Sequence, residues 1–368
     1  MLDFIIIGAG QSGLAMGYYL KEAGYSFTIL DSNKQLGAAW LKRWDSLKLF
    51  TPTQYNHLPG LEMDLPENYY PNKYEVAEYI ANYVKHFGFD VRLETLVQKV
   101  KKEQDIFSVT TSKGTIQAKQ IIVATGPFHT PFIPAFASKI GSDVLQMHSK
   151  NYMSPQQLNP GATLVVGGGD SGVQILDEIS QTNSPTFFSG NASGTSLPQE
   201  FLGKTLWWWF DKLGIIAAPK TSFLGRFLSK RMQPIIGTDI KAILKRPNVK
   251  AVGRSLDANE SEIICETGAL KGIANIIWAT GFKPNFSWLE GIELDEDGYP
   301  TNERGISPIE GLFYIGLPWM HTRGSATLGG VKNDAKYLID YITPKIKANP
   351  NGDAMFLNNN EAAKEKID

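Results

Sequence analysis

Three glycines near the start of the chain have the spacing of a phosphate-binding turn. Gly8, Gly10 and Gly13 follow the apolar run of residues 4–7 in the pattern GxGxxG. In this pattern the first glycine permits a tight turn, the second lets the backbone approach a pyrophosphate, and the third lets a helix pack closely on the strand. Asp31 ends the next apolar run, where an acid can hydrogen-bond a ribose hydroxyl. These residues predict a dinucleotide site whose phosphates are bound by helix N-terminal amides rather than by basic side chains.

The same arrangement occurs again in the middle of the chain. Gly167, Gly169 and Gly172 follow the apolar run of residues 162–166, and residues 186–189 form the next apolar run. Two mononucleotide-binding halves of one fold would lie much closer together in sequence. The repeat therefore predicts two complete dinucleotide-binding domains.

Alternating strands and helices must position both glycine turns. Hydrophobic periodicity predicts strands at residues 4–7, 27–30, 91–100, 106–111, 115–118, 120–126, 162–166, 186–189 and 276–281, and helices at residues 14–23, 76–87 and 173–180. Lys113-Gly114 is predicted to be a hairpin turn. Two ATG triplets begin at Ala124 and Ala279, and a proline-rich linker follows the first. The predicted fold class is α/β, with two Rossmann-like domains.

Composition excludes several other classes of protein. The net charge of −1 gives no support for nucleic-acid binding. Cys265 is the one cysteine, so the redox-active cysteine pair of a disulfide reductase is absent from the sequence, and a reducing cytoplasm is expected. The five histidines lack metal-ligand spacing. There is no room for a signal peptide before the first strand, and no apolar run approaches the ~18 residues of a membrane span. We expect a cytoplasmic protein that acts on small molecules.

Two adjoining runs make the chain resemble a known family. WLKRWDSLKLFTPTQYNHLPGL (residues 40–61) and YPNKYEVAEYIANYVKHFGFDVRL (residues 70–93) resemble the bacterial members of the class B flavin-dependent monooxygenases. That family also includes the plant auxin-forming enzymes, the animal flavin monooxygenases and the Baeyer–Villiger monooxygenases. The resemblance implies a glutathione-reductase-like arrangement, in which an NAD(P)H domain (156–279) is inserted into an FAD domain (1–155 and 280–368). The polar tail after residue 350 is expected to be frayed.

The two motifs and the resemblance together give the expected cofactor contacts. By resemblance, Gly37 and Trp40 lie beside the flavin, the backbone of Val97 contacts the adenine, and Gly316 with residues 325–328 offers amides to the pyrimidine edge of the flavin. The expected FAD-binding residues are Gly8, Gly10, Gln11, Ser12, Gly13, Asp31, Ser32, Gly37, Trp40, Val97, Thr125, Gly126, Gly316, Ser325 and Leu328. The expected NAD(P)H-binding residues are Gly167, Gly169, Asp170, Ser171, Gly172, Ser189, Asn191, Lys204, Thr280 and Gly281.

The resemblance also implies an activity. NAD(P)H would reduce the flavin, and a C4a-(hydro)peroxyflavin formed with dioxygen would oxygenate a sulfide, an amine or a ketone. His148 and Tyr152 match the second half of the family fingerprint, whereas Ser142 and Val144 stand where it has Phe and Gly. His148 fits a hydrogen-bonded hinge residue as well as a participant in turnover, so no catalytic residue is assigned. An NAD(P)H oxidase that releases hydrogen peroxide and a non-catalytic FAD/NAD(P) redox sensor remain alternatives.

Nucleotide preference depends on the tip of the second domain's second strand. An Asp there favours a free 2′-hydroxyl and an Arg favours a 2′-phosphate, but this chain has Asn191. Lys204 is the nearest candidate cation, with a solvated surface lysine as the alternative. We expect both NADH and NADPH to be used. The apolar runs 206–210 and 214–218 are too short to span a membrane and are expected to be packed or to cover the substrate path. The sequence is compatible with a homodimer.

Overall fold

The computed structural model describes residues 1–191, 196–230 and 234–348, and the tail predicted to fray lies outside them. The strands are β1 (Leu2–Ile7), β2 (Phe27–Leu30), β3 (Val91–Arg92), β4 (Val97–Glu103), β5 (Ile106–Thr111), β6 (Gly114–Val123), β7 (Thr130–Pro131), β8 (Leu145–His148), β9 (Ala162–Val166), β10 (Thr186–Ser189), β11 (Ser196–Leu197), β12 (Glu200–Phe201), β13 (Lys204–Thr205), β14 (Ile235–Ile236), β15 (Val249–Ala251), β16 (Ser255–Ala258), β17 (Glu262–Cys265), β18 (Gly268–Lys271), β19 (Ile273–Trp278), β20 (Phe282–Lys283) and β21 (Leu312–Tyr314). The helices are α1 (Gln11–Glu22), α2 (Ala38–Leu41), α3 (Lys73–Phe87), α4 (Asp170–Ser180), α5 (Leu206–Lys212), α6 (Phe223–Ser229), α7 (Ile240–Ile243) and α8 (Val331–Ala348).

The first sheet holds the first glycine turn at the carboxyl edge of its parallel strands. Its order is β3-β2-β1-β6-β5-β4, and β21 also pairs with β6. β1 lies between β2 and β6 with all three strands parallel, which brings Ile7, Leu30 and Val123 to the same edge. Residues 4–7 are buried because both faces of β1 are covered. Phe4 and Ile6 belong to the core cluster that includes α1, and Ile5 and Ile7 belong to a second cluster that includes residues of β4, β5 and β6. An open parallel sheet binds ligands at this carboxyl edge.

The second sheet repeats this plan with the second glycine turn. Its order is β15-β10-β9-β19-β8, and every pair is parallel. All five strands come from the stretch of chain between β6 and β21 of the first sheet. Its hydrophobic core contains Val165, Val173 and Leu176, which are fully buried. The sheet is therefore formed within an interruption of the first one.

Two chain segments connect the sheets, and they pair with each other. β7 lies antiparallel to β20, with Phe282 opposite Pro131 and Lys283 opposite Thr130. The linker that the prolines predicted is thus one strand of a two-stranded ribbon. We call β7 and β20 the connecting ribbon.

Several predicted strands and helices are confirmed, and the differences have local causes. The strands at 27–30, 106–111, 162–166 and 186–189 have the predicted bounds. The helix predicted at 76–87 begins earlier, at Lys73, because Asn72 caps it in a capping box with Glu75. The predicted helices at 14–23 and 173–180 also begin earlier, since Gly10 and Gly169 are themselves the N-caps.

The prediction was wrong in the meander. Residues 91–100 form two strands rather than one, because Glu94 adopts a φ of +51° and the chain turns there. The amides of Glu94 and Thr95 donate to the carbonyls of Asn33 and Asp31 instead of continuing a ladder. The hairpin turn is Ser112-Lys113, with Gly114 already paired in β6. The strands predicted at 115–118 and 120–126 are a single strand, β6, which ends before the ATG triplet, and the strand predicted at 276–281 is β19, which ends before the second triplet.

No helix in the described ranges is both long enough and apolar enough to cross a membrane.

Candidate functional site

The two glycine turns have nearly the same backbone geometry. Gly8 has a φ of +110° and Gly167 a φ of +126°, a region that residues with a Cβ rarely adopt. A Cβ added to Gly13 would lie 1.9 Å from the carbonyl oxygen of Gly8, and one added to Gly172 would lie 2.0 Å from that of Gly167. The first and third glycines of each motif therefore serve the turn and the close packing of helix on strand, as predicted.

The middle glycine of each motif faces open space. A Cβ on Gly10 or on Gly169 would meet no heavy atom within 4 Å. Each glycine precedes the first turn of a helix, whose free amides and dipole favour an anion. The space next to each middle glycine is therefore free of protein atoms, as the predicted approach of a pyrophosphate requires.

Asp31 is held at the tip of β2 beside the first turn. Its Oδ2 accepts a hydrogen bond of 2.8 Å from the amide of Ala9, and its Oδ1 accepts one of 2.8 Å from the amide of Asn33 and another from that side chain. Ser32, next to it, is exposed. A carboxylate offers about four acceptor positions, so an acceptor position remains for a ribose hydroxyl.

The C-terminal segment closes against the first glycine turn. Gly316 has a φ of +81°, and a Cβ there would lie 2.1 Å from the Oγ of Ser12. The Oγ of Ser325 accepts hydrogen bonds of 3.0 and 3.1 Å from the amides of His321 and Thr322. The Ser325 hydroxyl thus caps the short 3₁₀ helix Arg323–Ala326. The side chain of Leu328 is buried in the first core, so only its backbone is available to a flavin.

Four other predicted FAD contacts lie on α1, on α2 with its N-cap, and on β4. Gly37 has a φ of +71° and packs against α3, where its Cβ would lie 2.7 Å from the Cα of Ala77. Trp40 packs against the core clusters of both sheets. Val97 begins β4, opposite Thr111. Gln11 begins α1 and is half-buried.

Both ATG triplets are attached to the connecting ribbon. The Oγ1 of Thr125 lies 3.1 Å from the Nε2 of His129, and the hydroxyl of Thr280 donates to the carbonyl of Phe132. The carbonyl of Gly281 accepts a bond of 2.9 Å from the amide of Phe132. A Cβ on Gly126 or Gly281 would meet no atom within 4 Å. The threonine side chains are therefore used within the protein, whereas the glycines leave room for a ligand.

His148 and His129 brace this ribbon as neutral imidazoles. The Nε2 of His148 lies 2.9 Å from the Gly281 carbonyl and must donate to it, while its Nδ1 accepts a bond of 3.0 Å from the amide of Lys150. The Nδ1 of His129 likewise accepts a bond of 2.8 Å from the amide of Asn285. Burial lowers the pKa of both imidazoles. Of the two roles open to His148, the geometry supports the hinge.

Of the predicted residues at the second nucleotide site, Ser171, Ser189 and Asn191 lie at or beside the second glycine turn, whereas Lys204 lies on a separate hairpin. Asn191 lies beside the second turn, since a Cβ on Gly168 would be 3.1 Å from the Asn191 carbonyl oxygen. Ser189 is buried, and its Oγ accepts a bond of 2.8 Å from the amide of Ser255. Ser171 is half-buried in the first turn of α4. Lys204 is exposed on the β12–β13 hairpin, with its Nζ 5.7 Å from the ring centroid of Trp208.

Asp170 of the second turn and Arg323 of the C-terminal segment are close enough to interact electrostatically. Burial raises the pKa of Asp170, an effect that Arg323 and a hydrogen bond from the Ile236 amide oppose. Burial lowers the pKa of Arg323, opposed in turn by Asp170. The Arg323 guanidinium lies 5.9 Å from the ring centroid of Phe210 in α5. The second glycine turn therefore faces the segment that closes the first.

We call the first sheet with the helices packed on it the first unit, and the second sheet with its helices the second unit. The sequence did not predict that a segment of the first unit enters the hydrophobic core of the second. Trp44 and Leu47 are buried among Tyr152 and Val173, and the amide of Asp45 donates to the carbonyl of Met153 over 2.7 Å. We call residues 44–47 the wedge. Its tryptophan lay within the run that carried the family resemblance, but nothing in that run showed which core it would join.

A buried lysine fixes the start of the wedge. Lys73 is fully buried, and its Nζ donates to the Arg43 carbonyl over 2.5 Å and to the Asp45 carboxylate over 2.7 Å. On the other side, Glu178 of α4 accepts hydrogen bonds from Ser46 of the wedge and, over 2.9 Å, from the hydroxyl of Tyr152, and burial raises the pKa of Glu178. Polar contacts therefore hold the wedge from both units.

The described residues contain no cluster of three or more His, Cys, Asp or Glu that could bind a metal ion. Cys265 is buried, and burial raises the pKa of its thiol, which disfavours a reactive thiolate.

Comparisons with known proteins agree with this geometry. Residues 5–192, just over half of the chain, match the sequence profile of the pyridine nucleotide-disulphide oxidoreductases. The chain is 40% identical to the uncharacterized oxidoreductase CzcO of Bacillus subtilis, over 92% of this chain and 98% of that protein. It is 28% identical to the probable indole-3-pyruvate monooxygenase YUCCA7 of Arabidopsis thaliana, over 85% of this chain and 82% of that one. The solved flavin-containing monooxygenase of Stenotrophomonas maltophilia superposes with a TM-score of 0.77 at 27% identity, over 94% of this chain and 98% of that chain.

Proposed function

Because this chain is an oxidoreductase of the pyridine nucleotide-disulphide oxidoreductase family and, within it, of the class B flavin-dependent monooxygenases, we propose that it is an FAD-dependent NAD(P)H:oxygen monooxygenase. Its substrate is a small soft nucleophile, namely a sulfide or an amine, or a ketone. NAD(P)H supplies two electrons. One atom of dioxygen enters the substrate and the other leaves as water.

The observation that carries this proposal is the pair of open glycine turns on facing units. Gly10 and Gly169 each leave room for a pyrophosphate, and Asp170 with Arg323 couples the second turn to the segment that closes the first. One dinucleotide at each turn would extend toward the same cleft. Two redox cofactors in one cleft are what hydride transfer between them requires.

The proposed domain arrangement follows from the interrupted first sheet. Residues 1–155 and 280–368 form a Rossmann-like FAD domain, and residues 156–279 form a Rossmann-like NAD(P)H domain inserted into it. The two parallel sheets and the connecting ribbon support an inserted domain, but β8 pairs with β19 in the second sheet and favours an insert that begins before residue 145.

The residues of the chain bind and shield the cofactors. FAD, when bound, accepts the hydride and activates dioxygen. The amides at the start of α1 would hold its pyrophosphate, Asp31 would accept a hydrogen bond from a ribose hydroxyl, and Gly37, Trp40 and the backbone at Gly316 and 325–328 would border the rings.

An aromatic cluster contains residues of both units, and the proposal assigns to it the exclusion of water from the cofactors. The ring of Trp207 stacks on Phe50 at 5.9 Å and lies 6.2 Å from Tyr55, and its Nε1 donates to the Phe50 carbonyl over 2.8 Å. Phe210 packs against the same tryptophan. A dry cleft protects reactive oxygen species from loss to solvent, and the proposal assigns no acid–base residue.

Rapid mixing of the anaerobically reduced enzyme with oxygen tests the activity. A monooxygenase returns to the oxidised flavin spectrum only after a delay, and a suitable sulfide, amine or ketone shortens the delay and is oxygenated. Direct reoxidation with one hydrogen peroxide released per NAD(P)H, whatever the added substrate, would identify an NAD(P)H oxidase instead. If the flavin-loaded protein consumed no NAD(P)H, the non-catalytic redox sensor would be the remaining interpretation.

A further inference from the structure

Arg43 is a half-buried cation without an acceptor. It lies just before the wedge, where its carbonyl accepts a hydrogen bond of 2.5 Å from the Nζ of Lys73. In the ranges that the structure describes, its guanidinium forms neither a hydrogen bond nor an ion pair. Burial lowers the pKa of Arg43. A partly desolvated cation without a counter-charge is unfavourable, so this position is stabilised by an anion.

Contacts beside the connecting ribbon fix where this guanidinium lies. Its Cζ is 4.9 Å from the ring centroid of Phe128, and that ring packs against Phe282 with centroids 5.3 Å apart. Phe282 in turn lies 4.9 Å from the imidazole of His148. Burial lowers the pKa of His148, and the nearby charge of Arg43 lowers it further. These four side chains are therefore in one place, and we call them the ribbon cluster.

The charge of the ribbon cluster is positive. Residues 124–138 and 279–289, which include both of its phenylalanines, contain no aspartate or glutamate. Lys150 adds a second cation, since its amide donates to the Nδ1 of His148 over 3.0 Å and its Nζ lies 3.5 Å from the carbonyl of His129. Within the described part of the chain, neither Arg43 nor Lys150 forms an ion pair. Neither charge is therefore neutralised by the protein.

The ribbon cluster also has an apolar side and free space. Phe128 is 58% exposed although a guanidinium lies over its ring. The Gly281 carbonyl lies 2.9 Å from the Nε2 of His148, and a Cβ added to that glycine would meet no heavy atom within 4 Å. An exposed ring beside an unpaired guanidinium fits a ligand that has an apolar body and one anionic group. Of the common anions, a carboxylate matches the planar fork of arginine with two parallel hydrogen bonds.

The phosphates of the two expected dinucleotides belong elsewhere. In the second sheet, β8 ends at His148, whereas the second glycine turn follows β9 and Asn191 follows β10. β9 and β10 lie two and three positions from β8, so their ends are about 10 and 14 Å from it at a strand spacing of about 4.8 Å. The ribbon cluster is therefore separate from the places predicted for the pyrophosphate and the 2′-phosphate.

We propose that the ribbon cluster binds a small carboxylate with an apolar body, such as an alkanoate. Arg43 donates two hydrogen bonds to the carboxylate, Lys150 adds electrostatic attraction, and the ring of Phe128 contacts the apolar part. Such a carboxylate is either part of the substrate of the proposed reaction or a separate effector that binds at the ribbon. Both ligands share this chemistry, and their binding does not require turnover.

Calorimetric titration of the flavin-loaded protein with hexanoate, in the absence of NAD(P)H, tests the site. Hexanoate should bind at least about tenfold more tightly than its neutral analogue hexanamide, which lacks the charge-assisted bonds. It should also bind more tightly than acetate, which has no apolar body. Arg43→Met keeps the length of the side chain and should abolish the preference for hexanoate over hexanamide. Arg43→Lys should retain part of the preference, since an ammonium lacks the planar fork.

Matched variants separate the ribbon cluster from general changes. Arg92→Met removes an exposed arginine of β3 and should bind hexanoate like the wild type. Phe128→Ser should weaken the binding of hexanoate and leave that of acetate unchanged. Equal affinity of the wild type for hexanoate and hexanamide, or an unchanged preference in Arg43→Met, would overturn the proposal. So would a loss of NAD(P)H affinity in Arg43→Met with normal hexanoate binding, since it would assign the arginine to the dinucleotide.

Steady-state turnover separates the two sources of the carboxylate. If hexanoate raises the KM of an oxygenated substrate without changing kcat, the ribbon cluster holds the substrate. If hexanoate changes kcat, the ribbon cluster holds an effector. A protein that binds hexanoate through Arg43 but oxygenates nothing would contradict the proposed function and still support this site.

Discussion

At the two middle glycines, the protein leaves room that a side chain could fill without touching protein atoms. We therefore expect Gly10→Val to fold but to purify without FAD, because the side chain would occupy the pyrophosphate position. Gly169→Val should stay yellow, be bleached normally by dithionite and be reduced by NAD(P)H at least about a hundredfold more slowly, a barrier increase of roughly 2.7 kcal/mol. Flavin content and stopped-flow reduction measure both effects.

Each glycine variant is the control for the other. Loss of FAD in Gly169→Val, with normal reduction of whatever flavin remains, would mean that the two turns hold the opposite cofactors. Gly13→Val is a poor substitute for either, since its side chain would collide with the Gly8 carbonyl and disrupt the turn itself.

Asn191 gives a prediction about nucleotide choice. Its backbone lies beside the second glycine turn, where an arginine could form charge-assisted bonds to a 2′-phosphate. We expect NADH and NADPH to reduce the wild-type flavin with similar kcat/KM, and Asn191→Arg to raise the NADPH preference by about tenfold, since a bond to a charged group contributes roughly 1.5–3 kcal/mol. Asn191→Gln, which lengthens the side chain without adding a charge, should leave the ratio of kcat/KM for NADPH to that for NADH unchanged. A wild type that prefers NADPH more than about a hundredfold, ~2.7 kcal/mol, would show that another cation reads the phosphate.

Among single residues, the sequence predicted those that act through local backbone conformation. It did not predict those whose contacts come from residues far away in the chain. The spacing of Gly8 and Gly13 implied the turn and the close packing, because both are local. Lys73 lay outside the predicted helix, and the sequence did not indicate that its ammonium would be buried against carbonyls about 30 positions away. The partnership of Asp170 with Arg323 likewise depends on how two separate units meet.

Among the elements, the connecting ribbon makes a pH-dependent prediction. His148 and His129 each accept an amide hydrogen at Nδ1, so protonation breaks that bond, and burial lowers both pKa values. The unfolded chain binds more protons below its ordinary histidine pKa of about 6.5. The stabilisation is therefore complete above that pH and is lost as the pH falls through the lower folded-state pKa. Thermal unfolding between pH 7.5 and 5 should show the midpoint falling on acidification.

A glutamine at position 148 keeps one donor and one acceptor but does not titrate. His148→Gln should therefore reduce the acid-induced loss of stability, because the lowered pKa of His148 no longer contributes to it. His86→Gln, at the exposed end of α3, should leave the pH profile as in the wild type. Identical acid sensitivity in His148→Gln and the wild type would contradict the role of the ribbon.

Elements with strong periodicity were predictable, whereas the meander was not. β2, β5, β9 and β10 have the predicted bounds, since each is a short β-branched or aromatic run. The break between β3 and β4 was missed because the residues around Glu94 do not include a glycine or proline, and the turn is fixed by amide bonds to the loop after β2. That constraint exists only in the folded sheet.

Over the whole molecule, we expect the wedge to make the two units unfold together. Trp44 is buried in the second core, so Trp44→Ala should cost about 3–5 kcal/mol. Because the lost packing lies between the units, we expect calorimetry to resolve two unfolding transitions in this variant and one in the wild type.

Trp288→Ala is the matched control, since that ring packs only against the core of the first sheet. It should lower the unfolding temperature of the first unit without separating the transitions in the way Trp44→Ala does. A single cooperative transition in Trp44→Ala would show that the polar contacts of Lys73 and Glu178 suffice to couple the units.

The two separate parallel sheets were predictable from the repeated motifs, because each glycine turn requires its own parallel sheet. How tightly the two units are joined could not be predicted, since neither motif includes the wedge. The burial of the wedge in the second core depends on the relative placement of both sheets.

The connecting ribbon has a consequence for the ancestry and engineering of such chains. The polypeptide leaves the first unit and re-enters it through two hydrogen-bonded neighbours, Thr130–Pro131 and Phe282–Lys283. A gene segment that encodes the intervening residues could thus be exchanged between relatives. The two points at which the replacement joins the first unit are adjacent in the structure, so its ends already lie close together. The exchange would carry one condition: the donor of the segment must also supply residues 44–47, or the grafted core will receive another protein's tryptophan.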